Sequence, residues 1–135
     1  MSSDIYKDII LDYYRNPRNF GDLPDADVRA KDSNPLCGDI IEMQLKIGDG
    51  KISDIRFKGK GCAISQASAS MLTEVAKGKT LEDIKAMGKP DVLALLGIDP
   101  GPSRIKCALL GLKVLKLAVY VHLGQAVTEE VKQLA

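Results

Sequence analysis

The sequence predicts an α+β fold, in which a three-stranded antiparallel sheet carries helices packed on one face and one further helix precedes the sheet. Two observations support this fold class. Apolar and polar residues alternate with a period of two in the first half of the chain, and apolar residues follow helical spacing in the second half. Strands that come first and helices that follow are typical of α+β domains. With 135 residues, the chain is expected to form a single domain, 1–135, that buries a core without disulfide bonds.

The sheet is predicted from three extended segments. These segments are residues 28–32, 40–47 and 52–58. Between the last two lies Gly48-Asp49-Gly50-Lys51, a hairpin turn whose glycines can adopt positive φ. Antiparallel pairing brings the start of the second strand and the end of the third to one end of the sheet. Cys37 and Cys62 are therefore expected to lie close together in space.

Helices are predicted before the three strands and after them in the sequence. An amphipathic helix comes first, with Asp4 as its N-cap and its end at about Arg15. It either packs on the body or presents its tyrosines and the Arg15/Arg18 pair to a partner. The helical segments after the sheet are 67–76, 81–87, 91–96, about 104–122 and 127–134. Thr80 begins a capping-box pattern before the second of these, and Gly124 ends the long apolar one.

Composition excludes several classes of function. The net charge is +1, aromatic residues make up 4% of the chain and tryptophan is absent. A basic, aromatic-rich surface for nucleic acid is therefore not expected. No apolar run approaches the roughly 18 residues of a membrane span, and the N-terminus has no signal-peptide pattern. We therefore expect a cytoplasmic protein with no nucleic acid and no membrane as partner.

Three cysteines, Cys37, Cys62 and Cys107, carry the strongest functional signal. Each lies at a predicted chain reversal or helix start, and the helix dipole favours a thiolate at a helix start. None belongs to a CxxC pair, which excludes a zinc ribbon. Thiolates from three separate segments suit zinc or an iron–sulfur cluster, although a lone cysteine is more often a small buried hydrophobe. Asp39, on the same strand face as Cys37, is a candidate fourth ligand, with a turn residue or a solvated strand end as the alternative.

The glycines before Cys62 and the single histidine also bear on function. Gly59 and Gly61 allow the backbone to bend sharply and to approach a neighbour closely. His122 lies 15 residues beyond Cys107, which is about 22 Å along a helix. We therefore expect His122 on the surface near a helix C-terminus, and no histidine is available as a catalytic base.

Four motifs give the sequence a resemblance to a known family. They are NPRN at 16–19, NPLCGD at 34–39, GKGCAIS at 59–65 with ASAS at 67–70, and RIKCA at 104–108. In this order they resemble the iron–sulfur cluster assembly scaffold family, which includes IscU, SufU and the N-terminal domain of NifU. The resemblance extends from about Tyr6 to Leu123 and implies a SufE/NifU-like fold.

The resemblance implies a scaffold or transfer protein rather than an enzyme. Such a scaffold receives sulfur from a cysteine desulfurase of the IscS/NifS type, takes up iron, assembles a labile [2Fe–2S] cluster and transfers it to apo iron–sulfur acceptor proteins. Carried over by position, the ligands of the cluster, or of Zn2+ in its place, would be Cys37, Cys62, Cys107 and Asp39. Asp39 would tune cluster lability, Cys107 would accept persulfide sulfur, and the segment 6–20 would face the desulfurase. The protein would be a monomer or a dimer bridged by the cluster.

Two positions depart from the IscU pattern. Lys106 stands where IscU proteins carry a histidine, and residues 101–104 replace a Leu-Pro-Pro-Val-Lys motif that a dedicated chaperone reads. The motif around Cys107 is closer to SufU, whereas the 45-residue interval after Cys62 is closer to IscU. A zinc-dependent sulfurtransferase of the SufU type is therefore the main alternative. A structural zinc domain is a third possibility, disfavoured by the carboxylate and by ligand loops that we expect to be exposed.

Overall fold

The computed structural model describes residues 2–35 and 38–135, with side chains from residue 5 onward. The elements are α1 (Ser2–Arg15), β1 (Val28–Asn34), β2 (Asp39–Gly48), β3 (Lys51–Lys60), α2 (Ala63–Ala76), α3 (Leu81–Ala86), α4 (Lys89–Leu96), α5 (Ile105–Leu123) and α6 (Glu129–Lys132). The predicted α+β architecture is confirmed. Among the described helices, none is both long enough and apolar enough to cross a membrane.

The sheet has the strand order β1-β2-β3, and both pairs of neighbours are antiparallel. The predicted hairpin between β2 and β3 is confirmed. Its central residues, Asp49 and Gly50, have φ values of 55° and 72°, and two successive positive φ angles are typical of a type I′ turn. β1 continues to Asn34, two residues beyond its predicted end, because Asn34 still pairs with Asp39.

The core lies between one face of the sheet and the helices α2 and α5. Its fully buried side chains include Ile41, Met43 and Leu45 from β2, Ile55 and Phe57 from β3, and Leu72, Leu110, Leu112 and Leu115 from the helices. Alternate residues of a strand share a face, so Asp39 begins the row that continues with Ile41. A carboxylate thus stands at the end of an otherwise apolar face, beneath the helices that carry two of the cysteines.

Three helices begin earlier than predicted, among them α4, which begins at Lys89 rather than at residue 91. α1 begins at Ser2, so the prediction of Asp4 as its cap is wrong. α2 begins at Ala63 rather than at residue 67, because Cys62 already occupies the N-cap position with an extended backbone (φ −71°, ψ 161°). Cys62 is therefore joined directly to α2, which ties the position of its sulfur to that helix.

Capping residues define other helix ends. The capping box of Thr80 with Asp83 before α3 is confirmed, as is the left-handed Gly124 after α5. α6 is shorter than the predicted segment 127–134. It begins after Thr128, whose hydroxyl accepts a hydrogen bond from the backbone N–H of Val131.

α1 packs on α2 and also presents apolar side chains to solvent. Ile10 is buried, and the hydroxyl of Tyr13 donates a hydrogen bond to Glu74 of α2 at 2.5 Å. The exposed apolar side chains of this helix are Ile5, Tyr6, Ile9 and Tyr14. One side of α1 thus serves the packing role that the sequence suggests, and the other has the character of a docking surface.

Candidate metal centre

Asp39, Cys62 and Cys107 meet at the end of the sheet where β2 begins and β3 ends. A carboxylate oxygen of Asp39 and the two sulfur atoms all lie within 4.8 Å of one another. Tetrahedral zinc, with Zn–S bonds of about 2.3 Å, places two sulfur ligands about 3.8 Å apart. The limit of 4.8 Å on the three separations is compatible with this value. The three side chains are therefore candidate ligands that come from three separate segments.

The pleat of β2 directs Asp39 inward. It lies on the same side of the sheet as Ile41 and is completely buried. A buried carboxylate needs polar partners, and its Oδ1 accepts a hydrogen bond from the backbone N–H of Cys62 at 2.8 Å. The thiol of Cys62 donates to Oδ2 across 3.7 Å. One oxygen of Asp39 therefore holds the Cys62 backbone while the other lies beside the sulfur.

Gly61 makes room for this carboxylate. Its φ of +145° is a conformation that residues with a side chain rarely adopt, and a Cβ at this position would overlap Oδ1 of Asp39. A Cβ at Gly59 would likewise overlap the carbonyl oxygen of Ile40. The prediction that these glycines permit a close backbone approach is confirmed.

Cys62 is held by side chains of its own helix as well as by Asp39. Its carbonyl oxygen accepts hydrogen bonds from the hydroxyl of Ser65 at 3.1 Å and from the backbone N–H of Gln66 at 3.2 Å. The side-chain amide of Gln66 in turn donates to Ser65 at 3.1 Å. Cys62 is partly exposed, so solvent reaches the group from this side.

Cys107 is the third residue of α5 and is completely buried. The expectation of exposed ligand loops is therefore wrong for Asp39 and Cys107, and Cys62 is only partly exposed. The reason is that the pleat of β2 and the packed side of α5 both turn these ligands toward the core. Burial of a carboxylate and a thiol side by side favours a site in which both groups have partners.

Cys37 lies outside the described residues, so its membership of the site and its shared face with Asp39 stay predictions. The chain on either side is described. β1 ends at Asn34, which pairs with Asp39, and the backbone N–H of Gly38 donates to the Asn34 carbonyl at 2.8 Å. The connection that contains Cys37 therefore starts and ends next to Asp39.

Lys106 and His122 belong to α5 but, unlike Cys107, are exposed. Lys106 is exposed although its neighbour Cys107 is buried, because successive helical residues face different directions. His122 is exposed in the last turn of the helix, about 22 Å along the axis from Cys107. The prediction of a surface histidine that does not share the site is confirmed.

An open cleft of about 640 Å³ adjoins the site between the C-terminal end of α1 and the end of β3. Its walls include the aromatic rings of Tyr14 and Phe20, the basic side chains of Arg15 and Lys60, and the backbone of Gly61. Because Gly61 contacts the Asp39 carboxylate, a partner that enters this cleft arrives next to the candidate ligands.

Ser65 and Ser68 are supporting residues that the sequence does not single out. Ser65 holds the Cys62 carbonyl, and the hydroxyl of Ser68 donates to the carbonyl of Ala108 at 2.7 Å. The available signal is the run of small residues at 67–70, which permits a close helix–helix approach. It does not show which hydroxyl faces which partner.

The fold and the cysteine–aspartate group together define an α+β protein with a candidate metal centre at one end of its sheet. The family described as NifU-like N terminal domain matches residues 5–129. The chain therefore belongs to this family, and the resemblance that rests on the four motifs is confirmed.

The relatives of this chain carry two kinds of name. It is 39% identical over 132 residues to the zinc-dependent sulfurtransferase SufU of Bacillus subtilis (strain 168), which covers 85% of this chain and 89% of the relative. It is 36% identical over 118 residues to the iron-sulfur cluster assembly scaffold protein IscU of Escherichia coli (strain K12). This match covers 84% of this chain and 91% of the relative. These two levels of identity are too similar to decide between the scaffold and the sulfurtransferase.

Solved structures share the fold over almost their full length. A nitrogen-fixing NifU-like protein (N-terminal) from Brucella abortus gives a TM-score of 0.75 at 25% identity, covering 92% of this chain and 98% of that one. A putative iron-sulfur cluster assembly scaffold protein for the SUF system from Fervidobacterium islandicum AW-1 gives a TM-score of 0.74 at 29% identity. The match covers 88% of this chain and 99% of that one. The NifU-like fold predicted from the motifs is confirmed.

Proposed function

We propose that the chain is a scaffold for iron–sulfur cluster assembly. It receives sulfur from a cysteine desulfurase, takes up iron, holds a labile [2Fe–2S] cluster as cargo and passes it to apo acceptor proteins. The proposed ligands are Cys37, Cys62, Cys107 and Asp39. The observation that carries the proposal is the approach of the Asp39, Cys62 and Cys107 ligand atoms to within 4.8 Å in a NifU-like chain. Cysteine thiolates are the usual ligands of [2Fe–2S] clusters.

A carboxylate among thiolates suits a cargo that must leave. Iron in clusters and zinc are soft or borderline and prefer thiolate to carboxylate, so Asp39 is the weakest of the proposed ligands. Its Oδ1 is already bonded to the Cys62 amide, which leaves Oδ2 as the coordinating atom. A single, weak oxygen ligand is the natural place for release of the cluster to begin.

Cys107 is proposed as the sulfur acceptor. Its thiolate would attack the terminal sulfur of the desulfurase persulfide, so that a new S–S bond forms and the desulfurase cysteine leaves as a thiolate. Because Cys107 is completely buried, the transfer requires its cover to open. Cys62, which is partly exposed, marks the side from which the persulfide approaches.

The cleft beside Gly61 and the outer side of α1 are proposed to face the desulfurase. The exposed rings of Tyr14 and Phe20 supply apolar contact area, and Arg15 and Lys60 supply positive charge next to the ligand group. Aromatic and arginine side chains are enriched at protein interfaces. Tyr14, Arg15 and Phe20 belong to the segment 6–20 that the resemblance assigns to the desulfurase, and Lys60 lies in the same cleft.

A zinc-dependent sulfurtransferase is the second candidate. It is favoured by the similarity to the Bacillus subtilis relative and by Lys106 in place of the IscU histidine. In this function the same residues would hold zinc, and one thiolate would leave the metal to take persulfide sulfur. The resident metal, rather than the ligand set, distinguishes the two candidates.

Anaerobic reconstitution with ferrous iron, cysteine and a cysteine desulfurase tests the proposal. We expect the visible absorbance of a [2Fe–2S] cluster, matching iron and sulfide content, and transfer to an apo-ferredoxin. Replacing Cys37, Cys62 or Cys107 with serine should abolish all three, whereas His122→Ser, far along α5, should leave them unchanged. Tightly held zinc with no cluster, together with faster desulfurase turnover, would instead establish the sulfurtransferase.

A further inference from the structure

The two described cysteines belong to different helices, so the packing of those helices sets the distance between the sulfur atoms. Cys62 caps α2 and Cys107 lies in the first turn of α5. Cys62 is also tied to the sheet through Asp39. The packing of α5 on α2 and on the sheet therefore decides where Cys107 lies relative to the other two ligands.

α2 and α5 approach each other closely at Gly111. A Cβ at this position would lie 3.1 Å from the Cα of Ala69 and 3.3 Å from its Cβ. Such distances are shorter than ordinary van der Waals contact, so the helices meet here almost backbone to backbone. Gly111 lies inside a helix, where glycine is otherwise unfavourable, and this close contact gives it a structural reason.

A buried hydrogen bond joins the same two helices nearer to the ligands. Ser68 is 2% exposed, and its hydroxyl donates to the carbonyl oxygen of Ala108 at 2.7 Å. Ala108 directly follows Cys107 in the chain. The bond therefore links the second turn of α2 to the turn of α5 that carries the ligand, and it opposes sliding and rotation of one helix against the other.

We propose that Ser68 and Gly111 are positioning residues of the metal centre, which set the separation of the Cys62 and Cys107 sulfur atoms. Ser68 acts through the backbone of Ala108, and Gly111 acts through the close approach to Ala69. The inference rests on the proposed metal-binding function of the two cysteines. Ser68 and Gly111 are not among the four predicted ligands. They affect the site only by positioning the helices that carry Cys62 and Cys107.

Ser70 provides a matched control on the same helix. It is completely buried, and its Oγ accepts a hydrogen bond from the backbone N–H of Arg18 at 2.8 Å. Ser70 therefore holds the segment after α1 rather than α5. Ser68→Ala and Ser70→Ala each remove one hydrogen bond of a buried serine residue and should destabilise the fold to a similar degree. Only the first should loosen α5 against α2.

The test measures zinc affinity of the full chain by competition with a chromophoric chelator, and the visible d–d spectrum of the cobalt-substituted protein. Ser68→Ala should weaken zinc binding about 10-fold, the low end for groups that orient metal ligands, and should change the cobalt bands. Ser70→Ala should match the parent in both. Gly111→Ala, which pushes the helices apart without removing a hydrogen bond, should act in the same direction as Ser68→Ala.

Equal zinc affinity and identical cobalt spectra for Ser68→Ala, Gly111→Ala and Ser70→Ala would overturn the inference and leave the proposed function intact. A parent chain that binds neither zinc nor cobalt through Cys62 and Cys107 would overturn the proposed function itself. Should Ser68→Ala not fold, Gly111→Ala decides alone: weaker binding supports the inference, and unchanged binding refutes it.

Discussion

The hydrogen bond from the Cys62 amide to Asp39 predicts different stabilities for two substitutions in the metal-free protein. Asp39→Ala removes the acceptor and leaves the amide at the start of α2 without its 2.8 Å partner. Asp39→Asn keeps a carbonyl oxygen in the place of Oδ1. Both substitutions remove the negative charge, so the effect of that charge on the neighbouring thiols cancels when the two variants are compared.

The expected difference follows from the cost of the orphaned amide. A buried N–H group that loses its acceptor costs about 1–3 kcal/mol, so Asp39→Ala should be roughly 2 kcal/mol less stable than Asp39→Asn. In a domain of this size, that difference corresponds to a melting temperature lower by about 6–10 °C. The void beside Gly61 adds to the cost of the alanine variant, because Gly61 contacts the carboxylate that is removed.

Urea unfolding of the reduced protein with a chelator present, followed by far-UV circular dichroism, measures both variants. Asp8→Ala, an exposed substitution in α1, is the control and should stay within about 0.5 kcal/mol of the parent. Equal unfolding free energies for Asp39→Ala and Asp39→Asn would refute the reasoning. The carboxylate would then not hold the Cys62 backbone.

Three other features predict measurable outcomes. Cys62 is partly exposed and Cys107 completely buried, so iodoacetamide should label Cys62 before Cys107 in the metal-free native protein; mass spectrometry that finds Cys107 labelled before Cys62 would contradict this. Burial alone would raise the pKa of Asp54, but hydrogen bonds from a backbone N–H and two basic side chains outweigh it and hold that pKa below 3.8. Its contribution to stability is therefore present above that pH and lost as the pH falls below it, so Asp54→Asn should flatten the acid limb of an unfolding profile. Gly97 has a φ of +72° and a Cβ there would overlap the ring of Tyr6, so Gly97→Ala should cost more than about 1 kcal/mol and speed hydrogen exchange in α1; unchanged exchange would show that α1 does not depend on this contact.

The strands were predictable because alternation in the sequence directly reflects burial in the sheet. The two unpredicted residues at the end of β1, Ser33 and Asn34, have no strong strand preference and stay extended only because they pair with β2. The early start of α2 has a similar cause. The N-cap conformation of Cys62 is held by the Asp39 carboxylate, a contact between residues far apart in sequence that local propensity does not encode.

The candidate ligands were predictable from residue type and motif, but their burial was not. Asp39 faces the core because of the register of β2, and a slip of one residue would turn it to solvent. The rotation of α5 buries Cys107 and exposes Lys106 in the same way. The Ser68–Ala108 bond spans 40 positions. Such orientations depend on tertiary packing, which a single sequence shows only as a run of small residues.

Asp39 should have opposite effects on the empty site and on the proposed cargo. In the metal-free protein its carboxylate accepts the Cys62 amide, so its loss weakens the fold. In the proposed loaded protein it would be the weakest ligand, and a thiolate from solution that takes its place in Asp39→Ala would bind iron more firmly. The alanine variant should therefore carry a longer-lived cluster, measured as slower decay of visible absorbance after anaerobic reconstitution. Identical decay in variant and parent would remove Asp39 from the release step. If the cluster decays more slowly in Asp39→Ala although the metal-free variant is less stable than the parent, one carboxylate both orders the empty site and keeps the cluster exchangeable.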